Sequence, residues 1–231
     1  MIMTLPKTVV ASPAWIAAQD PECWLTPGEL LVWAAWNLKK RKSEWLAGRM
    51  AAKTLLWDVM DIAPLSWSVG RDGAAPSISG VSLPGTILSL SHSDGMGAAT
   101  LSDSYTEGSA GIDIQRIRPV HPGLCTRVFT PGERAQITAR FGSGNSAEGQ
   151  LLFWSLKEAA IKARRLPWVS ALQSIEVRLL DADSSEIVLP SEPPMTAQYE
   201  RLGEWWLARA VTPAVKSASD KAPAKDVAFR D

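Results

Sequence analysis

Two short segments place carboxylates in settings where a carboxylate is unusual. Asp113 lies within residues 111–115, a run with apolar residues on both sides of the acid, which predicts a buried strand. Trp154, Glu158 and Lys162 recur every fourth residue, which predicts one face of a helix. A buried carboxylate needs a partner, and two carboxylates beside a lysine can hold a hard divalent cation and a phosphate group. The two segments together therefore predict phosphate chemistry.

Length and composition limit the classes of protein to consider. The chain has 231 residues with 24 basic and 24 acidic side chains, so its net charge gives no indication of nucleic acid or of an anionic membrane as partner. The apolar run from Leu30 to Leu38 is too short to span a membrane. We expect no signal peptide, and a cytoplasmic protein in which Cys23 and Cys125 are reduced.

The predicted elements mix helices and strands. Thr26-Pro-Gly-Glu29 is a helix start with a capping box, and Ser43 is expected to cap the next helix after a basic turn at residues 39–42. Helices are expected over residues 27–38, 43–60, 131–141 and 147–165. Strands are expected over residues 66–69, 86–92, 96–101, 109–115, 175–180, 186–189 and 205–211, with a loop over 70–76. Residues 213–231 have the composition of a disordered tail.

An internal repeat divides the chain. Thr130-Pro-Gly-Glu133 repeats the first helix start, and Trp45, Arg49 and Lys53 have the same spacing as the tryptophan, glutamate and lysine of the later helix. Capping boxes are common, so coincidence is the alternative to duplication. We favour an α+β fold of two similar α/β halves that form a pseudodimer, with halves at residues 1–105 and 106–212. A site between them could combine cations from one half with carboxylates from the other, and clefts between domains are frequent ligand sites.

Several segments, taken in order, resemble those of a known enzyme family. They are Leu46-Ala-Gly-Arg49, residues 71–76, Ser89-Leu-Ser-His-Ser93, Gly111-Ile-Asp-Ile-Gln115, residues 128–133, and Trp-Ser-Leu-Lys-Glu-Ala-Ala-Ile-Lys at 154–162. The set, which spans about residues 40 to 170, resembles the 4′-phosphopantetheinyl transferases of the long, pseudodimeric, surfactin-synthetase type. That resemblance implies Mg²⁺-dependent transfer of the phosphopantetheine arm of coenzyme A to a serine of an apo acyl or peptidyl carrier protein. It also implies adenosine 3′,5′-bisphosphate as the second product.

The resemblance also implies roles for individual residues. Asp113 and Glu158 are expected to bind Mg²⁺, and Glu158 is the candidate general base, directly or through a water on the metal. Lys162 is expected to meet a phosphate oxygen, with Asp113, Glu158 and Lys162 forming the catalytic group. The implied coenzyme A contacts are Ser91 and His92 at phosphates, Arg49 at the 3′-phosphate, and Arg71 to Pro76 along the adenine and phosphate pocket.

Two positions depart from the family pattern. Gln115 stands where many members carry a second strand carboxylate, and its amide oxygen could still ligate the metal or orient its water. Ala74-Ala75-Pro76 replaces the usual Gly-Lys-Pro, so a lysine that would face phosphate is missing. These departures motivate the alternative of a coenzyme A-binding or carrier-binding protein with weak or no transferase activity. A nucleotide hydrolase with a two-carboxylate metal site is a further alternative, but no glycine-rich Walker sequence supports it.

Simpler interpretations exist for several residues. His92 could be a core histidine, Arg49 and Lys53 could be exposed on a helix, and Lys157 and Glu158 could belong to an ordinary charged face. Arg164 and Arg165 are expected to be charges at a helix C-terminus. The run at residues 39–42 is either a solvated turn or a docking patch for an acidic carrier protein or for phosphate. We expect a monomer.

Overall fold

A computed structural model describes residues 7–72, 75–166 and 172–213. The first half of the chain forms five strands and three α-helices. In order these are β1 (Thr8–Ala11), α1 (Pro13–Ala17), α2 (Pro27–Ala34), α3 (Lys39–Met60), β2 (Ser68–Asp72), β3 (Ala75–Ser79), β4 (Thr86–Ser93) and β5 (Met96–Asp103). Strands β1, β5 and β4 form an antiparallel sheet in that order, and β2 and β3 form a separate hairpin.

The second half repeats this order of elements. It contains β6 (Ala110–Arg116), α4 (Pro122–Val128), α5 (Pro131–Phe141), α6 (Ala147–Arg164), β7 (Glu176–Leu179), β8 (Ser184–Val188), β9 (Met195–Leu202) and β10 (Trp205–Val211). Its five strands form one antiparallel sheet in the order β6-β10-β9-β8-β7. The order β1-β5-β4 is the matching part of the first sheet. The α+β fold class is thus confirmed, and we propose the division at residues 105 and 106 as the boundary between the two halves.

Three apolar clusters hold the molecule together. One lies between α3 and the first sheet, and one lies between α5, α6 and the second sheet. The third joins the halves: Val10, Met96 and Ala98 of β1 and β5 pack with Ile112, Ile114 and Leu207 of β6 and β10. The two sheets therefore face each other, and the long helices α3 and α6 cover their outer faces. Burial of apolar area at the third cluster fixes how one half is oriented on the other.

A buried ion pair occurs at the same place in each half. Glu29, the capping-box acid of α2, lies 2.8 Å from Lys53 of α3, and Glu133, the capping-box acid of α5, lies 2.9 Å from Lys157 of α6. Each lysine also donates to two backbone carbonyls, and both lysines are fully buried. Burial lowers the pKa of both ammonium groups, and the neighbouring glutamate opposes that shift.

This pairing corrects the alignment of the two halves. The same number of residues separates Thr26 from Thr130, Glu29 from Glu133 and Lys53 from Lys157. Lys53 therefore corresponds to Lys157, so the predicted match of Lys53 with Lys162 is wrong. The interpretations of Lys53 as an exposed residue and of Lys157 as part of a charged surface face are also wrong, because both side chains lie in the core.

Three local predictions differ from the structure. Helix α2 ends at Ala34, and the basic residues 39–42 form the first turn of α3, whose N-cap is Leu38 and not Ser43. Residues 70–76 belong largely to the β2–β3 hairpin, in which Arg71 pairs with Pro76. The strands β1 and β9 and the short helices α1 and α4 have no counterpart in the sequence prediction.

Other predictions concern the thiols, the membrane and the tail. Cys23 and Cys125 are free thiols, the first exposed and the second buried. Within the described ranges no helix is long and apolar enough to cross a membrane. The predicted disordered tail lies outside the described residues, apart from Pro213.

Candidate active site

A row of serine hydroxyls connects the two halves. Strands β4 and β6 are the edge strands of their sheets and lie side by side, but they are not paired as strands. Ser89 accepts a hydrogen bond from the Ile112 amide at 3.1 Å, and Ser93 accepts one from the Arg116 amide at 3.0 Å. Between them, Ser91 donates to the Oδ1 atom of Asp113 at 2.8 Å. We call these three serines the serine seam.

The alternation of β4 explains the seam. Successive side chains of a strand point to opposite faces, so the serines at 89, 91 and 93 share one face. All three are buried, whereas His92 is exposed and lies in the wall of a cleft. The motif Ser-Leu-Ser-His-Ser thus has two roles: its serines bind the neighbouring strand, with Ser89 and Ser91 also at the edge of the cleft, and His92 on the other face lines the cleft.

Close approach of α6 to β6 brings the second acid to the site. A Cβ atom on Gly111 would clash with the carbonyl oxygen of Ala159, so only glycine permits this contact. Glu158 precedes Ala159, and Asp113 lies two residues after Gly111 on the same strand face. The glycine therefore sets how closely the helix acid and the strand acid can approach. Both carboxylates are buried, with 6% and 2% of their residue surfaces exposed.

Lys162 neutralises part of this acidic cluster. Its ammonium group lies 2.7 Å from Asp113 Oδ1 and donates to the Ile112 carbonyl at 2.9 Å. These two contacts use two of the three ammonium donors, and 28% of the side chain is exposed. Lys162 can therefore hold Asp113 and still offer a donor to a ligand in the cleft.

The cleft lies between the halves and has a volume of about 980 Å³. The second half contributes Asp113, Gln115, Trp154, Glu158 and Lys162 to its wall, with Arg165 and Leu166 at the end of α6. The first half contributes cations and aromatic residues, namely Arg41, Arg49, Arg71, His92, Trp36 and Trp45. The wall from the second half therefore carries the two buried acids together with Lys162 and Arg165, whereas three arginines and one acid, Asp72, line the wall from the first half, so we call the two walls acidic and cationic.

Arg49 is held rigidly in the cationic wall. Its guanidinium carbon lies 3.4 Å from the centre of the Trp45 ring, a stacking geometry that fixes the plane of the group. Burial lowers the pKa of Arg49 to about 10. The carboxylate of Glu29 raises this pKa and the charge of Arg71 lowers it further, so that Arg49 still stays charged at neutral pH. Its Nε atom is buried and has no hydrogen-bond partner among the described residues. A buried cationic donor of this kind is suited to an anionic ligand.

His92 lines the same cleft. The surrounding wall reduces its hydration and lowers its pKa below the ordinary value, and the carboxylate of Glu44 only partly opposes this effect. A neutral imidazole can donate one hydrogen bond and accept another. The simpler interpretation of His92 as a core histidine is wrong, because the side chain is exposed in the cleft.

The acidic wall fits a hard divalent cation. The Oδ2 atom of Asp113 is buried, and it accepts no hydrogen bond within the described part of the chain. A bound cation would stabilise such a buried carboxylate oxygen. Gln115 adds an amide oxygen, which is a type of ligand that Mg²⁺ accepts. No group of three histidine, cysteine or acidic residues suited to a metal occurs among the described residues, and Gln115 is the further oxygen donor in the cleft lining. The donor set is therefore two carboxylates and one amide.

Every predicted site residue borders this cleft: Arg49, Arg71, Pro76, Ser91, His92, Asp113, Gln115, Glu158 and Lys162. Ser91 differs in its observed partner, since its hydroxyl binds Asp113. Sequence reasoning did not assign Trp36 or Trp45 to the site, and it left Arg41 in a run that was either a solvated turn or a docking patch for a carrier protein or for phosphate. The adjacency of Trp45 to the Leu-Ala-Gly-Arg segment was the one available signal. Arg164 binds Glu192 at 2.7 Å as a surface ion pair, whereas Arg165 reaches the cleft.

The chain is similar to known phosphopantetheinyl transferases over part of its length. A sequence model of the 4′-phosphopantetheinyl transferase superfamily matches residues 109–211, which include the strand acid and the helix acid. The 4′-phosphopantetheinyl transferase Svp of Streptomyces mobaraensis is 27% identical over 195 residues, covering 84% of this chain and 74% of that protein.

Solved structures resemble part of the chain. The holo-(acyl-carrier-protein) synthase of Bacillus anthracis in complex with CoA (3′,5′-ADP) is 23% identical with a TM-score of 0.40, covering 47% of this chain and 98% of that one. The holo-[acyl-carrier-protein] synthase of Helicobacter pylori in complex with coenzyme A is 18% identical with a TM-score of 0.37, covering 44% of this chain and 97% of that one. Through the match over residues 109–211 and the likeness to Svp, this chain is similar to members of the 4′-phosphopantetheinyl transferase superfamily.

Proposed function

We propose that the protein transfers the 4′-phosphopantetheine arm of coenzyme A to a serine of an apo acyl or peptidyl carrier protein. The observation that carries this proposal is the cleft itself. One wall presents Asp113, Glu158 and Lys162, and the opposite wall presents Arg49, Arg71 and His92. Coenzyme A contains a pyrophosphate and a further phosphate at one end of the molecule. These separated anionic groups match a cleft with two separated groups of cationic side chains.

The reaction forms one phosphorus–oxygen bond and breaks another. The hydroxyl oxygen of the carrier serine attacks the β-phosphorus of coenzyme A, and the bond to the α-phosphate oxygen breaks, which releases adenosine 3′,5′-bisphosphate. Glu158 accepts the serine proton, directly or through a water. Lys162 stabilises negative charge on the phosphate oxygens as it develops. Arg49 holds the 3′-phosphate, and Arg71 and His92 hold the remainder of the nucleotide end.

The acidic wall would hold Mg²⁺. Asp113 would bind the ion through its unpartnered Oδ2 atom, and Glu158 and Gln115 would contribute further oxygens. When bound, Mg²⁺ neutralises charge on the pyrophosphate and polarises the bond that breaks. Lys162 already occupies Oδ1, so it fixes which oxygen of Asp113 remains for the ion.

The test is the mass of a carrier protein. Incubation with coenzyme A and Mg²⁺ should increase the mass of an apo carrier by one phosphopantetheine group. Asp113→Asn and Glu158→Gln keep the size of each side chain and should lower the rate by at least about a hundredfold, which is typical for loss of one charge-stabilising group at a reaction centre. Asp58→Asn is the matched control, because Asp58 is an exposed acid on α3. Asp113→Asn or Glu158→Gln at wild-type turnover and with an intact fold would remove these residues from the site.

A coenzyme A-binding protein without transfer is the second candidate, and Gln115 in place of an acid is the observation that favours it. Calorimetric binding of coenzyme A with no mass change on any carrier would select this candidate. We propose a monomer as the working form, because one chain supplies both walls of the cleft. A molar mass of one chain in light scattering tests this.

A further inference from the structure

The buried ion pair of the first half has a neighbour that its copy in the second half lacks. The residue of α6 that matches Arg49 of α3 is Phe153, one turn before Lys157, and it is fully buried in the apolar cluster of the second half. In the first half, by contrast, Arg49 lies one turn before Lys53 and borders the cleft. The pair of Glu29 and Lys53 therefore lies beside the ligand site, whereas its copy lies beside the core.

The same pair anchors the strand that carries a second arginine of the cleft. The Oε1 atom of Glu29 accepts a hydrogen bond from the Val69 amide at 2.9 Å, and Val69 lines the cleft. The ammonium group of Lys53 donates to two carbonyl oxygens in the segment just before β2, at 2.6 Å each. These bonds fix the start of β2, and Arg71 follows two residues after Val69. One ion pair therefore connects α2, α3 and β2.

The charges around Arg49 give the pair a second connection to the cleft. Burial is the main cause of the lowered pKa of Arg49, the charge of Glu29 raises this pKa, and the charge of Arg71 lowers it further. The two guanidinium groups therefore repel each other, and Glu29 is the carboxylate that offsets the repulsion. Two like charges stay close together without a ligand only where the surrounding structure holds them.

We propose that Glu29 and Lys53 form a clamp that holds Arg49 and Arg71 in position for one phosphate-bearing ligand. This inference rests on the proposed function, which assigns the nucleotide end of coenzyme A to these two arginines. Glu29 and Lys53 are positioning residues, because both are buried and neither borders the cleft. Arginines that are already held in place lose less entropy when the ligand binds, so the clamp strengthens binding without touching the ligand. The effect is greatest for a ligand with a 3′-phosphate, the group assigned to Arg49.

The experiment makes the same double change in each half of the full chain. Glu29→Gln with Lys53→Met removes the pair beside the arginines, and Glu133→Gln with Lys157→Met, the matched control, removes its copy. Calorimetry measures Kd for coenzyme A and for 3′-dephospho-coenzyme A. The first change should raise Kd for coenzyme A at least about fivefold, the factor that ordering one long side chain costs. The Kd for the dephospho form should rise less, so the preference for the 3′-phosphate falls. The control should leave both values within about twofold of wild type.

Urea unfolding separates positioning from stability. Both double variants lose the same two charges from the same place in the fold, so their free energies of unfolding should fall by similar amounts. A purely structural role would then change coenzyme A binding equally in the two variants. Glu29→Gln alone is the milder variant if the double variant does not fold, because its amide oxygen can still accept from the Val69 amide. It should raise Kd for coenzyme A, whereas Glu133→Gln should not.

Two results would overturn the inference. An unchanged Kd for coenzyme A in the first-half variants would show that the pair does not position the arginines. Equal weakening in the first-half and second-half variants would assign the effect to stability. Failure of the proposed function is a separate result, because it appears as no added mass on an apo carrier protein, whatever the pair contains. Binding of coenzyme A needs no carrier and decides the inference in that case too. A wild-type protein that binds no coenzyme A would contradict both.

Discussion

The two oxygens of the Asp113 carboxylate have different surroundings. Oδ1 accepts from Ser91 and Lys162, whereas Oδ2 is buried and accepts no hydrogen bond within the described residues. A carboxylate fixed by one oxygen presents the other in a defined direction, and this lowers the entropy lost when a ligand binds it. Ser91 therefore acts as a positioning residue for Asp113. Its place in the Ser-Leu-Ser-His-Ser motif did not reveal this partner.

Gln115 lies on the same face of β6 as Asp113, so a charged oxygen at this position should strengthen metal binding. We expect Gln115→Glu to tighten Mg²⁺ binding, because a hard cation prefers charged oxygen ligands. Turnover should change by less than about tenfold, which corresponds to about 1.4 kcal/mol. Calorimetric titration with Mg²⁺ and the Mg²⁺ concentration for half-maximal activity are the two measurements. If neither the Kd for Mg²⁺ nor the Mg²⁺ concentration for half-maximal activity falls relative to wild type, Gln115 does not face the metal.

The sequence singled out two acids that the fold brings to one cleft, but it did not predict the directions of the hydroxyl groups. Asp113 and Glu158 stand out because an acid in an apolar strand and an acid on a helix beside a tryptophan are both unusual. A serine carries no comparable signal, since its hydroxyl can bind a ligand, a backbone amide or a carboxylate at similar cost. Which partner it takes depends on tertiary contacts between β4 and β6.

The long helices α3 and α6 each bury one lysine, and that lysine is a structural element and not part of the cleft. Lys157 joins Glu133, Val128 and Leu172, which connects α6 to α5 and to the strand region beyond it. It neighbours Glu158 in sequence but points to a different side of the helix and is not part of the cleft lining. Its effect on activity should therefore pass through the fold.

We expect Lys157→Met to destabilise the protein by about 3–5 kcal/mol, because Glu133 would remain as an uncompensated buried charge. Lys53→Met, the same change in the first half, should have a similar effect. The double variant Glu133→Gln with Lys157→Met should recover part of the loss, since both charges are gone. Urea unfolding measures these free energies. Lys157→Met with wild-type stability but no transfer would instead assign Lys157 to the chemistry.

The serine seam should couple the strand register to metal binding. In Ser93→Ala the Arg116 amide loses its acceptor, which should cost about 1–3 kcal/mol and loosen β6 beside Asp113. We expect a lower melting temperature together with weaker Mg²⁺ binding by calorimetry. Ser79→Ala is the control, because its hydroxyl binds the Ser68 carbonyl within the β2–β3 hairpin. Equal Mg²⁺ affinity in Ser93→Ala and wild type would show that the seam does not position the site.

Element prediction worked where local signals were strong. The capping box predicts the start of α5 correctly, and a left-handed Gly142 ends the helix where the sequence indicates. The prediction of a turn at the basic run 39–42 was wrong. Positive charges in the first turn of a helix are unfavourable, and yet α3 begins there. Packing of α3 on the first sheet overrides that local cost. The β2–β3 hairpin was missed because its strands lack a clear alternation of apolar residues.

In the part of the chain that the structure describes, the molecule has two similar halves but only one acidic wall. The number of residues that separates Lys53 from Lys157 relates positions of the first half to their counterparts in the second half. By this relation, the counterparts of Asp113, Glu158 and Lys162 are Val9, Thr54 and Asp58. Val9 and Thr54 are buried and cannot bind a cation by charge. The first half therefore has the same arrangement of elements as the second half but lacks the two acids. It supplies the cationic wall of the cleft instead.

This division predicts the behaviour of separated halves. Residues 1–105 and 106–231 expressed as two chains should each be inactive, because neither contains both walls. Co-expression should restore part of the transfer activity, since the apolar cluster and the serine seam favour reassociation. Transfer to an apo carrier protein is the measurement. Activity in residues 106–231 alone would show that the cationic wall is dispensable.

The covalent connection between the halves also determines how readily they associate with each other. The strand that carries the seam serines and the strand that carries Asp113 are joined by β5 and a short connection. Each half therefore meets the other at an effective concentration set by that tether, which for short linkers lies in about the millimolar range. Dilution cannot separate the two walls. A catalyst built this way keeps its specific activity when only a few copies are present.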